Sequence, residues 1–427
     1  MDRFSDVHDT ILQLLAECGW VSQSVLELIG YSYTYRTRSL KTLLDQQYIR
    51  KQGKGKSKSY ALAVKGRNYL AGFYASRFRE EALTAAKQLS RHPERAVLRG
   101  DAAAMLSFAG FSIHMDDKPP LPAYTPPLPE TPNQGDWKKL FQNIRTYSYQ
   151  DETDGKSHER RLSPIGCYYD ATVIKELAGS SGWDAAGIGY SRACGVLMTP
   201  SYLFRVYHSR EVAMKFQVTG EKNFRNLLLT DRIFTGYLPQ ADDAALIFGT
   251  DFTAAEHILR GNLEGNGAQL PIYVKSEGQK GYHAVKGTKG EMLTPGNLGN
   301  PAFYLPLCGE SLSILRLMHY PFWQDTLIRE INRELFHMEN NSRWCFELDG
   351  CVVYILVCLN LPQFGLALQT IRTAADKKVR IICLDWQEPL FRQLLEPIAH
   401  SRDIRITRLP AVYIEEIQKQ LERYWEG

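Results

Sequence analysis

Residues 33–66 read YTYRTRSLKTLLDQQYIRKQGKGKSKSYALAVKG, and this stretch decides how the N-terminal part of the chain folds. From Tyr33 to about Gln46, Leu40, Leu43 and Leu44 recur at helical spacing and face inward. That phase leaves Tyr35, Arg36, Arg38, Ser39 and Lys41 on or near the opposite face. Residues 48–49 and 60–64 have the aromatic and β-branched character of short strands, and between them RKQGKGKSK places five cations and two glycines. The pattern predicts a hairpin. Gly53 and Gly55 supply the permissive backbone of its turn, while Arg50, Lys51, Lys54, Lys56 and Lys58 must stand in solvent or against an anion.

The residues upstream choose between a solvated loop and an anion-binding ribbon. Ser5 or Asp6 can cap a first helix with Ile11, Leu12, Leu14 and Leu15 as its buried stripe, ending at Gly19. Trp20 packs the corner. Ser22 caps a second, short helix carrying Val25, Leu26, Leu28 and Ile29, and Gly30 stops it. Three helices followed by a two-stranded ribbon is the order of a winged helix-turn-helix, in which the third helix enters the DNA major groove and the wing lies along phosphates. Charge supports that placement. From Arg36 to Arg67 there are ten Lys or Arg and one acid, Asp45; residues 1–99 hold 17 basic and 9 acidic residues, and the remaining chain holds 34 and 38. Such a split is the footprint of a phosphate-binding surface and names double-stranded DNA as the partner.

At 427 residues and 44% apolar composition the chain can bury two or three cores. The sequence predicts an α+β multidomain protein. Its expected parts are a winged helix-turn-helix over 1–75, a helical extension over 76–115, a Pro-rich linker over 116–136, a mixed α/β domain over 137–345 and a small parallel α/β unit over 346–427. The linker holds seven of the twenty prolines. A helix around Arg95 to Ala109 fits either dimerisation or packing on its own domain. MDRFSDVHDT has no apolar signal region and no run of about 18 uncharged apolar residues occurs. Eight cysteines lie mostly inside apolar runs without a C-x-x-C pair, as in a reduced, cytoplasmic protein. No membrane contact is expected.

In the middle region, 161–179 reads as a strand or turn entering a helix, two strands join at Thr199-Pro200-Ser201, and a third is expected over 212–216, an antiparallel pattern. A helix over 221–230, a strand over 244–251 and a helix after Asp251 follow. The nine glycines between Gly261 and Gly299 suggest loops and edge strands. From residue 352 strand and helix alternate three times, which predicts parallel βαβαβα with right-handed crossovers.

Chemistry is sparse. The expected strand ends offer Asn360, Asp385 and Arg408 as a ligand crevice, the basis for an alternative reading as a ligand-responsive transcriptional regulator. No phosphate loop, nucleophile elbow or H-E-x-x-H is present, so no cofactor, metal site or catalytic residue is assigned. A metal-dependent nuclease is the other alternative, resting on Glu347 and Asp349 on one face of an extended strand and on Glu211 and Lys215.

The first 70 residues also resemble a family. A helix with D-x-IL-x-x-L spacing, a helix-turn-helix and a wing ending in Y-x-L…G…L are similar to the start of replication-relaxation proteins from plasmids and integrative conjugative elements of Gram-positive bacteria. Asp9, Ile11, Leu12, Leu15, Leu40, Leu44, Tyr48, Ile49, Tyr60, Leu62, Gly66 and Leu70 fit that pattern. The resemblance implies a DNA-binding accessory role in plasmid replication, DNA relaxation or conjugative transfer, with relaxosome or replication proteins as partners and usually without an assigned catalytic residue.

Overall fold

The computed structural model describes residues 6–53, 58–78, 93–118, 166–180, 191–209, 218–230, 242–256, 301–373, 377–399 and 403–426, with short pieces between 119 and 300. The chain is a mixed α/β protein with several sheets. The expected strand over 212–216, most of the Pro-rich stretch and most of 261–299 lie outside the described residues.

The N-terminal unit runs α1 (Asp6–Cys18), β1 (Val21–Ser22), α2 (Gln23–Leu26), α3 (Tyr33–Asp45), β2 (Ile49–Gln52), β3 (Ser59–Leu62) and α4 (Val64–Phe73). Gly19, at φ 78°, takes the left-handed conformation that ends α1, and its N–H reaches the Leu15 carbonyl. The Ser22 and Ser32 hydroxyls cap α2 and α3 by accepting from the N–H groups of Val25 and Tyr35. The strands form one antiparallel sheet in the order β1-β3-β2, with Ile49 opposite Leu62 and Lys51 opposite Tyr60. Ile11, Leu12, Leu15, Val25, Leu26, Leu40, Leu43, Ile49, Leu62 and Leu70 fill the core between helices and sheet. Asp9 is buried in it because the hydroxyls of Tyr69 (2.7 Å) and Tyr74 (2.5 Å) donate to its carboxylate.

Helix α5 (Pro93–Phe108) joins this unit to the rest. Ala104 packs into the N-terminal core, whereas Ala102, Met105 and Leu106 belong to the large core of the following region. Residues 100–106 are all buried within the chain, so this part of the helix packs in its own molecule. A Cβ on Gly100 would overlap the Trp20 carbonyl oxygen, so only glycine lets α5 approach β1 this closely. One turn of helix thus faces two cores. Beside it the Asp101 carboxylate accepts from the Ser22 N–H at 2.7 Å and lies 3.9 Å from His208 Nε2.

The segment after α5 stays on the body. Phe111 stacks on His319 at 3.8 Å, and Lys118 Nζ donates to the carbonyls of Ile113 (2.7 Å) and Tyr168 (2.6 Å). Burial pulls the Lys118 pKa down to about 8. Residues 102–111 therefore contribute side chains to the core of the following sheet, and the first residues of the expected linker, as far as Lys118, are tied to it. Residues 123–124 pair with 234–235 in a two-residue parallel bridge, an edge position that the surrounding prolines tolerate.

The body's first sheet has the order β8-β7-β6-β5-β4, from β4 (Cys167–Asp170), β5 (Gly195–Met198), β6 (Tyr202–Ser209), β7 (Asp242–Gly249) and β8 (Ala302–Pro306). The antiparallel expectation holds for β5 and β6, the strands joined at 199–201, and β4 pairs antiparallel with β5 as well. Strands β6, β7 and β8 are parallel, with helix α7 (Val218–Thr230) between β6 and β7; α6 (Ala171–Ser180) follows β4. Arg205 on β6 donates to both carboxylate oxygens of Asp243 at 3.1 Å and to the Tyr207 hydroxyl, which donates to Glu221 at 2.7 Å. These buried charges bind strands and helix together because each has a partner.

The second sheet follows α8 (Gly309–Leu317) and α9 (Trp323–Phe336) in the chain. It consists of β9 (Cys345–Leu348), β10 (Cys351–Ile355), β11 (Lys378–Leu384) and β12 (Ile404–Leu409), paired in chain order. From β10 onward the strands are parallel, with α10 (Leu361–Thr373) and α11 (Glu388–Ala399) as crossovers and α12 (Val412–Glu426) closing the chain, as the alternation predicts. Its strands and those of the first sheet bury side chains in one core. Tyr304 N–H reaches the Leu359 carbonyl at 3.0 Å, so the expected division at 345/346 does not separate two cores. Among the described residues no helix is long and apolar enough to cross a membrane.

Gly100→Ala should lower the melting temperature of the full chain, by the equivalent of about 1–3 kcal/mol, because overpacking against backbone outweighs the helix propensity gained. Gly72→Ala, where a methyl meets nothing, should leave it unchanged or raise it. Thermal unfolding followed by circular dichroism checks both.

Candidate nucleic-acid interface

The N-terminal unit positions its polar residues through the phase of α3. Leu40 and Leu43 face the core, and Arg36, spaced four and seven residues before them, faces it too. Arg36 is only 8% exposed. Its guanidinium donates to the carbonyls of Ile29 (3.0 Å) and Tyr31 (2.9 Å), the residues that leave α2 and enter the turn. Arg36 therefore holds the turn between the two helices and does not face solvent. Ser39, four residues before Leu43, is buried as well. The expectation that Arg36 and Ser39 lie on the outer face is thus overturned, and the i, i+4, i+7 spacing Arg36-Leu40-Leu43 was the signal.

The outer face consists of Thr34, Thr37, Arg38 and Lys41, all exposed. Sequence reasoning found Arg38 and Lys41 and passed over the two threonines, which carry no charge. At the start of the helix Tyr33 is 66% exposed, and Tyr35, also exposed, sits edge-on to Tyr31 at 6.2 Å between ring centroids.

The ribbon's cations divide in a similar way. Arg50 lies with its guanidinium 5.0 Å from the Trp20 ring centroid, a cation–π contact that packs it on the sheet. Lys51 is exposed, and Lys58 is half-buried where its carbonyl accepts from the Gln23 N–H at 2.9 Å, pinning the ribbon's base to α2. Lys54 and Lys56 lie outside the described residues. Lys65 sits over the Tyr48 ring at 4.3 Å and donates to the Gln46 carbonyl, while Arg67 is buried, its pKa lowered by burial and by neighbouring Arg50. Of the ten cations between 36 and 67, then, Arg36, Arg50, Lys65 and Arg67 are committed to the fold. Arg38, Lys41, Lys51 and Lys58 remain as the described cations that can meet an anion.

Among the described residues the parts of the two alternative sites have other partners or positions. Asp349 is not on a strand: with Gly350 it forms the tight turn between β9 and β10, at φ 51° and 72°. Glu347 pairs with Lys377 at 2.9 Å, and Glu211 and Lys215 lie outside the described residues. Among the described residues no group of three His, Cys, Asp or Glu is placed to hold a metal ion. At the strand ends, the buried Gln387 side chain donates to the Val357 carbonyl at 3.1 Å and accepts from the Leu384 N–H at 3.0 Å. It ties the end of β11 to the segment after β10. Asp385 is exposed and accepts from the Trp386 N–H, and Arg408 pairs with Glu388 at 3.1 Å.

Comparison of the chain with protein-family models, with curated proteins and with solved structures found no match.

Arg36→Ala should cost about 1.5–3 kcal/mol of stability, since two carbonyls lose a charged donor, whereas Arg38→Ala should leave the melting curve in place. Equal destabilisation by both, measured by urea titration, would contradict the division of labour between these arginines.

Proposed function

We propose that residues 1–75 form a winged helix-turn-helix that binds double-stranded DNA, with α3 as the recognition helix and the β2–β3 ribbon as the wing. The observation that carries this reading is the outer face of α3, where Thr34, Thr37, Arg38 and Lys41 stand free beside the exposed Lys51 while Arg36 locks the turn behind them. A rigid helix with uncommitted polar side chains, flanked by cations on an adjoining ribbon, has the parts of a groove-reading module with phosphate clamps. The antiparallel sheet β1-β3-β2 beside three helices supports the same assignment. The resemblance of the first 70 residues to replication-relaxation proteins supports a non-catalytic, cytoplasmic role in the replication, relaxation or transfer of a mobile element. The α/β body then serves as the platform that other proteins of that machinery contact.

Lys41, Lys51 and Lys58, with Lys54 and Lys56 of the ribbon, supply about five phosphate contacts, so log K against log salt should have a slope near −4.5 on B-form DNA. Fluorescence anisotropy of the full chain with a labelled random-sequence duplex between 50 and 300 mM salt gives the slope. A value shallower than about −2 would remove the phosphate-binding role of the ribbon.

A further inference from the structure

The outer face of α3 has a composition that its charge does not explain. Thr34, Thr37, Arg38 and Lys41 fall at i, i+3, i+4 and i+7, which is one strip along the helix. All four are exposed, and none is engaged by another described side chain. Nothing in the fold requires threonine at 34 or 37: both are β-branched, mildly unfavourable in a helix, and project away from the core. At 1.5 Å per residue the strip is about 10 Å long, which matches about three base pairs at 3.4 Å each. Exposed Asp45, four residues beyond Lys41, brings a charge of the phosphates' own sign and ends the strip.

We infer that this strip reads a short major-groove sequence in which thymine lies beside guanine, the Thr34 and Thr37 methyls packing on thymine C5-methyl groups and Arg38 bonding guanine. The inference rests on the DNA-binding reading and adds to it what is recognised. In the major groove thymine alone among the four bases presents a methyl, and the threonine methyl is one of the few small apolar groups that can cover it, its hydroxyl remaining available to a base edge or a phosphate. Arg38, one turn after Thr34 and on the side of the strip away from Thr37, has the fork geometry for guanine O6 and N7. Lys41 follows at the distance of the next phosphate or base. Tyr33, exposed at the helix start, adds an aromatic edge on the thymine side.

The test uses the full chain and a pool of 30-bp duplexes with a randomised 12-bp core. Rounds of selection should enrich a core containing adjacent thymine and guanine. Replacing thymine by uracil in the enriched duplex removes only the methyl, and affinity should fall about fourfold for each contacted methyl. Thr34→Ser and Thr37→Ser keep the hydroxyl and lose the methyl, so each variant should bind one of the thymine and uracil duplex pairs alike, and Arg38→Ala should erase the preference at guanine. Equal binding of thymine and uracil duplexes by the unaltered protein, or discrimination that survives both serine changes, overturns the inference. If the unselected pool still binds with a steep salt dependence in that case, the DNA-binding reading stands and only the base assignment falls. Failure to bind any duplex overturns both.

Discussion

Helix Pro93–Phe108 has to satisfy two cores at once, and the rest of the molecule is arranged around that demand. Its small residues make this possible: Gly100 allows backbone contact with Trp20, and alanines at 102–104 let the helix lie between the N-terminal unit and the first sheet without pushing them apart. Asp101 adds direction to the packing, because its carboxylate accepts the N–H at the start of α2 while lying near His208 on β6. The turn that presents α3 is thereby referenced to the body of the protein. An N-terminal unit tethered by a free linker would lack that reference.

Within the N-terminal unit the same economy governs charge. Arg36, Arg50 and Lys65 cover carbonyls or aromatic faces, and each such contact uses a cation whose sequence context suggests a phosphate partner. Among the described residues what remains is a smaller set, the exposed Arg38, Lys41 and Lys51 and the half-buried Lys58, with neutral threonines beside Arg38 and Lys41. A surface of this kind is suited to combining a salt-dependent grip with contacts that depend on base identity.

The legible parts of the fold were those written in periodicity. The 3.6-residue stripes of α1 and α3, the cap Ser22, the glycine at 19 and the strand–helix alternation after 351 each state their structure locally. Arg36 and Ser39 were misplaced because polarity was read ahead of helical phase; Leu40 and Leu43 already put both on the inner side. The parallel half of the first sheet was hidden for a different reason. Strands β7 and β8 are buried through nearly all of their length, so they show no alternation from which a neighbour or direction could be read. Gln387 in the strand-end crevice and Gly100 against Trp20 are tertiary facts, and no local pattern encodes them. Asp349, by contrast, carried a local signal in the pair Asp-Gly, which outranks its distance from Glu347 as a clue.

The central claim, that DNA lies against the outer face of α3 and the adjoining ribbon, is tested most directly by photo-crosslinking. The full chain would be irradiated with a random-sequence duplex carrying 5-bromouracil, and the crosslinked peptides mapped by mass spectrometry. Crosslinks are expected within residues 33–41 and 50–58, with Tyr33, Tyr35 or Thr37 among the modified positions. Crosslinks confined to residues 166–426 would contradict it.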